Sequence, residues 1–405
     1  MSAFDYFIAL DGNGLNGFEG FAGVARLRCN PEKDSWEIAV RFYDGVAGGH
    51  ALSIAPGGRV GFLGNLSQQL LFFDPETLDE VSRASTLAMR QPAVMYESQT
   101  HVAWTGPRDF VVPIGPDFHA MSLDDLGRSE VIGAHGVTLP HALKRSPSGR
   151  FLFYGAMDHD AHGHANALGV FDLERREARV VRLPATVWHL GVHPTEDLVY
   201  APTQRCTPQN GREFVEYTIA RFKNYLFEID GAEARVRRHL AIPKDLPASL
   251  TSDVVVTEDH VIYNACASSA LVMVDRKTMQ HTRFIDERAT GLRALRALPV
   301  AVANVVEGLE RANLPSSTHH FVKALRAARL SAIDGSYGLQ RSPCGRFVLS
   351  AHRGLNEVLV YEYPAMRLVK RVRFPSIRAH FPQHFGALAD PRLGFHHTAL
   401  VPRAA

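Results

Sequence analysis

Histidine is the residue type whose placement in this chain points to chemistry. There are 20 histidines in 405 residues, and several occupy one place in a repeated phrase. The phrase is an apolar run, then Pro-x-Gly-Arg or a relative, then a second apolar run. The clearest copies are GGHALSIAPGGRVGFLGN from Gly48, LPHALKRSPSGRFLFYGA from Leu139 and YGLQRSPCGRFVLSAH from Tyr337. Looser copies begin at Thr100, Val187 and Thr251. The turn falls at Pro56, Pro107, Pro147, Pro194, Thr257, Pro343 and Pro402. The residues six positions earlier are His50, His101, His141, Trp188, Thr251, Tyr337 and His396. Four of these seven are histidine, in a chain where histidine is about one residue in twenty. His189 and His397 stand one step further on, and a β-bulge would let His189 replace Trp188. Neutral imidazole suits Fe, Cu, Zn and Ni, whereas Mg and Ca want oxygen ligands. The expected chemistry is therefore a transition metal held by His50, His101, His141 and His396, with His189 and His397 as additional ligands. The competing reading is a polar channel whose histidines satisfy backbone groups or hold water.

The elements that must position these residues follow from the rest of the repeat. A third run ends in Asp or Glu, as in QQLLFFD, ALGVFDLE, NYLFEID, ALVMVD and EVLVYE. A fourth, more basic run often follows, as in ARVVRLP, ARVRRHLAIP and RLVKRVRFP. Four short strands joined by Pro/Gly/Asp turns, recurring every 40 to 60 residues or so, predict an all-β protein of the β-propeller type. A four-stranded blade cannot bury both faces alone, so neighbouring blades must sandwich one another and the ring must close. The C-terminus has a lone innermost strand, FHHTALVP. The N-terminus has three runs, YFIALD, FAGVARLRC and WEIAVRFYD, with no innermost partner. Together they make a mixed blade that closes a ring of seven. Residues 1–405 then form one propeller, and the histidine position is the start of the innermost strand, at the mouth of the central channel. Strand side chains alternate between faces, so convergence of these histidines is an expectation that the repeat alone does not guarantee.

The segments SPSGRFLFYGA…ALGVFDLERRE and SPCGRFVLSAH…NEVLVYEYP resemble the YVTN-type repeat family, also called cytochrome-d1-like or lactonase-like seven-bladed propellers. The resemblance covers most of the chain and implies the fold only. In arrangement, an all-histidine shell at the mouth is similar to the four-histidine iron centre of carotenoid-cleavage oxygenases, without that family's local motifs.

Long departures from the minimal repeat fall in loops on the same face as the histidines. They include AMDHDAHGHANA with His159, His162 and His164, the stretch from Thr203 to Lys223 with Arg205, and PSIRAHFPQHFGALADPRLG with His380 and His384. The longest, about 287–334, reads as two helices between the sixth and seventh blades, forming a lid over the mouth or, alternatively, a packing surface. Arg205 and His352 occupy matching loop positions and are candidates to bind a substrate carboxylate or supply a proton. The alternative for each is an ordinary surface residue. Tyr337 and Trp188 are candidates to line the cavity, with Tyr337 donating a proton or hydrogen bond.

Composition excludes several classes. Lys plus Arg is 44 against 42 Asp plus Glu, a net charge of +2, so nothing global favours nucleic acid or an anionic membrane. The cysteines at 29, 206, 266 and 344 have no CxxC spacing, which argues against a zinc knuckle, a thioredoxin-type motif and a c-type haem attachment. No P-loop, GxGxxG, nucleophile elbow or HExxH occurs. No apolar stretch is long enough to span a bilayer, and the N-terminus lacks a signal-peptide pattern, so a soluble cytoplasmic protein with reduced thiols is expected. These readings converge on a metal-dependent enzyme for a small, partly apolar substrate. Iron(II) in an oxygenase is preferred, Cu, Zn or another divalent metal is possible, and a lyase or isomerase is the redox-neutral variant. The alternative is a metal-free propeller, either a lactonase- or lyase-like enzyme with a histidine base or a binding scaffold.

Overall fold

A computed structural model describes residues 3–11, 21–67, 69–86, 101–137, 139–156, 166–203, 224–242, 251–266, 269–287, 335–382 and 392–403. Its strands form seven four-stranded antiparallel sheets. Blade 1 is mixed: the C-terminal strand Phe395–Pro402 pairs with Phe4–Leu10, followed by Phe21–Asn30 and Ser35–Ala47. The pairing runs from Phe4 opposite Pro402 to Leu10 opposite Phe395, so the chain closes as the repeat predicts. The innermost strands of blades 2 to 7 are Gly49–Ile54, Ala103–Trp104, Pro140–Arg145, Gly191–Val192, Val254–Val256 and Ser336–Arg341. In blade 3, Asp117–Ser122 and Asp125–Ala134 supply the third and fourth strands, which the repeat had not picked out.

Hydrophobic burial holds the ring, and it sits between blades. Each of the seven junctions between adjacent blades has its own apolar core among the described residues. Between blades 4 and 5, Phe153, Leu168 and Val170 pack on Val199, Ala201 and Phe227. The blade 7–blade 1 junction is as apolar as the others, with Leu349, Val358 and Val360 against Tyr6, Ile8 and Leu27. Fully burying each such side chain stabilises the fold by about 1.5–3 kcal/mol.

The repeat's signature residues serve the end of the blades opposite the histidines. Gly149 and Gly345 have φ of +79° and +73°, which only glycine adopts at no steric cost. The next residue, Arg150, donates to Asp172 at 2.7 Å. The other oxygen of Asp172 accepts the backbone N–H groups of Glu174 and Arg175. The Gly-Arg of one turn and the terminal Asp of the third run are thus one local device. The basic fourth run has a matching role, because its side chains reach the turn of the next blade. Arg179 donates to the Ala232 carbonyl at 2.8 Å, Arg238 to that of Lys277 at 2.7 Å, and Lys370 pairs with Asp34 at 2.9 Å.

Of the expected helical insertion over 287–334, only Glu287 is among the described residues; 288–334 lies outside them. The only helical element described is the 3-10 turn Ile377–Ala379, and no described helix is long and apolar enough to cross a membrane.

Candidate metal centre

The innermost strands do not run straight at their starts. The pairing slips between Gly49 and Leu52 in blade 2, between His141 and Lys144 in blade 4, between Ser336 and Gly338 in blade 7, and opposite His396 and His397 in blade 1. Each slip falls on a candidate residue. A bulge leaves one residue unpaired and re-aims its side chain. In blade 4 the irregularity is severe: Leu139 and Ala142, on either side of His141, have φ of +43° and +51°. Left-handed backbone at a non-glycine residue costs about 1–3 kcal/mol and persists where its surroundings impose it.

The result is convergence. The four histidines of the repeat position meet, and His189 and His397 join them. His50 Nε2 lies 2.8 Å from His141 Nε2, and His50 Nδ1 lies 3.1 Å from His396 Nε2. The rings of His101 and His141 are 4.4 Å apart, those of His189 and His397 4.5 Å, and those of His141 and His189 4.7 Å. In two groups, His50–His101–His141 and His50–His396–His397, one ring nitrogen from each residue lies within 4.8 Å of the others. His50 is half-buried and the other five are buried. The bulge opposite His396 and His397 explains how two consecutive residues, which in a regular strand face opposite ways, both reach the centre.

Burial, reinforced by neighbouring imidazoles, holds His50, His101, His189, His396 and His397 well below the ordinary histidine range. For His141 burial wins against a hydrogen bond to the Trp188 carbonyl, and its pKa falls to about 4. All six are therefore neutral at pH 7, the protonation state in which imidazole ligates a metal. The His141 Nδ1–H donates to the Trp188 carbonyl at 3.3 Å, which leaves Nε2 as the free lone pair facing the cluster. Gly155 permits this approach, because a Cβ there would stand 2.6 Å from the same carbonyl. Among the described residues, His396 Nδ1 and His397 Nε2 are buried without a hydrogen-bond partner. Six neutral imidazoles with orphaned nitrogens and no carboxylate in either group fit a borderline transition metal and do not fit Mg or Ca.

The other candidates fall in different places. Tyr337 is buried against the site, its ring 4.0 Å from that of His396 and 5.4 Å from that of His397. Burial above all, helped by Cys266 and Asp11, drives its hydroxyl far above the ordinary range, so it stays protonated. Trp188 is buried with its ring 6.4 Å from His141. It serves the cluster through its carbonyl, while its neighbour His189 supplies the ring. His352 is not a surface residue: it is buried, and its Nδ1 accepts the Leu355 N–H at 3.2 Å in the turn that follows its strand. His380 packs on Phe42 of the outer strand of blade 1, away from the cluster. Arg205, the three histidines of AMDHDAHGHANA and His384 lie outside the described residues.

The sequence reading missed one pair. Arg353, next to His352, forms a buried ion pair with Asp11 at 2.8 Å and donates to the Phe395 carbonyl at 2.9 Å, one residue before His396. Its charge helps to hold His396 neutral. The only signal was an Arg in a loop, which is common.

No protein-family model and no curated protein matches the chain in sequence. Among solved structures it is similar to a chain of Kuenenia stuttgartiensis hydrazine synthase, with a TM-score of 0.54 at 15% identity. The match covers 81% of this chain and 87% of that one. At that identity the likeness is one of fold, and with the seven sheets and their ring of cores it makes the chain a seven-bladed β-propeller.

Proposed function

We propose that this propeller is a metal-dependent enzyme, most simply a non-haem iron oxygenase acting on a small, partly apolar molecule in the cytoplasm. The observation that carries the reading is the gathering of six neutral imidazoles from four blades and the closing strand, with two overlapping groups of three that share His50. The ligands would be drawn from His50, His101, His141 and His396, with His189 and His397 completing or replacing them. The chemistry such an ion supplies is oxygen activation, with Lewis-acid polarisation as the redox-neutral lyase or isomerase variant. Copper or zinc would fit the same donors.

The chain's own groups have defined tasks. Tyr337 and Trp188 give the site an aromatic wall, and the Tyr337 hydroxyl stays protonated and available as a donor. The Trp188 carbonyl fixes the His141 tautomer. Arg353 and Asp11 neutralise each other, and they brace the strand start that carries His396 and His397. Burial excludes water, which strengthens each of these interactions.

One observation favours a second reading. Nitrogen separations of 2.8 and 3.1 Å along His141–His50–His396 are also those of hydrogen-bonded imidazoles. A metal-free lyase- or lactonase-like enzyme with a histidine base, or a binding scaffold, would use that chain directly. Elemental analysis of untagged protein separates the two. The expected result is a stoichiometric transition metal, iron first, and a melting temperature that falls on chelation, because a ligand bound only to the folded state stabilises it. No stoichiometric metal together with chelator-insensitive melting overturns the metal reading.

A further inference from the structure

The two histidine groups share one member, and the geometry of that member matters. His50 Nε2 faces His141, which belongs to the group with His101. His50 Nδ1 faces His396, which belongs to the group with His397. The two nitrogens of an imidazole point their lone pairs away from each other, so a single ion cannot take both. An ion shared with His101 and His141 stands at the Nε2 edge. An ion shared with His396 and His397 stands at the Nδ1 edge. With metal–nitrogen bonds of about 2.0–2.1 Å, two such ions would be about 6 Å apart, with the ring of His50 between them. His189 borders both groups, with its ring 4.7 Å from that of His141 and 4.5 Å from that of His397.

Resting on the metal reading above, we infer that the site is built for two divalent transition-metal ions bridged by the imidazole of His50. One ion is held by His50 Nε2, His101 and His141, and the other by His50 Nδ1, His396 and His397. Binding the second ion releases the remaining ring proton of His50 to solvent, so His50 bridges as imidazolate. The orphaned Nε2 of His397 is thereby satisfied. The arrangement explains why the site gathers six histidines, more than one tetrahedral or octahedral ion takes beside an open position, and why the closing strand spends two consecutive residues on it.

The test is a titration of chelator-treated, untagged full-length protein with Cu(II). Bound metal is measured by elemental analysis, and the spins by electron paramagnetic resonance. Two equivalents per chain with an exchange-coupled, attenuated copper signal is the expected result. His397→Ala should lower the stoichiometry from two to one and restore an uncoupled signal. His50→Gln should abolish the coupling even where both ions are retained. One equivalent at saturation with an uncoupled signal overturns the bridge and leaves the metal reading standing. No bound copper overturns both and leaves a hydrogen-bonded imidazole chain. If His50→Gln fails to fold, the His397→Ala stoichiometry decides: an unchanged value of two overturns the assignment.

Discussion

The two ends of the blades are held by opposite means. At the turn end, left-handed backbone closes short turns that recur from blade to blade, at non-glycine residues such as Leu78, Arg176, Met279 and Met366 as well as at glycine. Glycine takes the left-handed positions at 149 and 345, Asp172 caps its turn, and Arg179, Arg238 and Lys370 stitch neighbouring blades across solvent. At the histidine end the irregularities fall at the starts of the innermost strands instead. Leu139 and Ala142 take left-handed φ without being glycine, pairing slips in four innermost strands, and buried nitrogens of His396 and His397 lack partners among the described residues. Irregular backbone that aims buried polar side chains, rather than closing a turn, is what a functional site produces. The turn end stabilises the ring, and the histidine end uses that stability to keep a strained polar cluster together.

The sharpest way to break this contrast is at the cluster itself. Replacing His50 and His141 together by alanine should weaken metal binding by more than about 100-fold, beyond the 10–100-fold typical of losing a supporting partner. Elemental analysis reads this directly, and retention of full metal content would refute the assignment. Phe153→Ala, in the core between blades 4 and 5, should cost about 3–5 kcal/mol in urea unfolding, with metal per folded molecule unchanged. Loss of metal at folded protein concentrations would mean that the ring and the site are not separable.

The pH dependence should separate two buried groups, both at the histidine end. Glu287, at the end of the outer strand of blade 6, is buried with hydrogen bonds from Ser336, Ser350 and Tyr361. Burial outweighs those bonds and lifts its pKa to about 7. The folded state therefore holds a proton that the unfolded chain releases near 4.5. The contribution is fully present below about 4.5 and is lost as pH rises through 7, worth about 3 kcal/mol across that window. His141 in metal-free protein has the opposite slope, because its folded pKa near 4 is depressed. Its contribution is present above 6.5 and disappears as pH falls through 4. Glu287→Gln should remove the first limb and leave the second. If the variant has the same stability profile between pH 4.5 and 7 as the parent, Glu287 is not the titrating group.

The smallest effects come from one backbone change made at each end. Gly149→Ala should destabilise by about 1–2 kcal/mol, because φ of +79° is unfavourable with a Cβ. Ala142→Gly should instead stabilise by up to about 1 kcal/mol while weakening metal binding, since the strain it relieves also aims His141. Thermal melting that moves in the same direction for both variants would show that the two ends are not different in kind.

Much of this was legible in the sequence, for identifiable reasons. Each Pro-x-Gly-Arg turn and each terminal Asp is a local device that works within a few residues, so it recurs visibly and reveals the blade. The unpaired strand FHHTALVP and the three N-terminal runs are complementary remainders of that count, so ring closure was readable too. The repeat also put His50, His101, His141 and His396 at one structural position. It did not reveal whether Trp188 or His189 would face the centre, because both precede the paired residues Gly191–Val192 of that strand and escape its alternation. It passed over Arg353 and Asp11, which are 342 residues apart and meet only when the ring closes. It offered His352 as a candidate for substrate binding or proton supply, with an exposed residue as the alternative, and could not reveal its burial, because a loop position says nothing about what packs over it.

The sequence by itself determined the blade count, the closure and the ring of positions at the channel mouth, because these follow from short-range periodicity. The tertiary structure decided which ring nitrogens point inward, that His50 stands between two groups of histidines, and that Tyr337 lies against one of them. Those are matters of bulges, burial and side-chain direction, and they exist only once seven blades pack against one another.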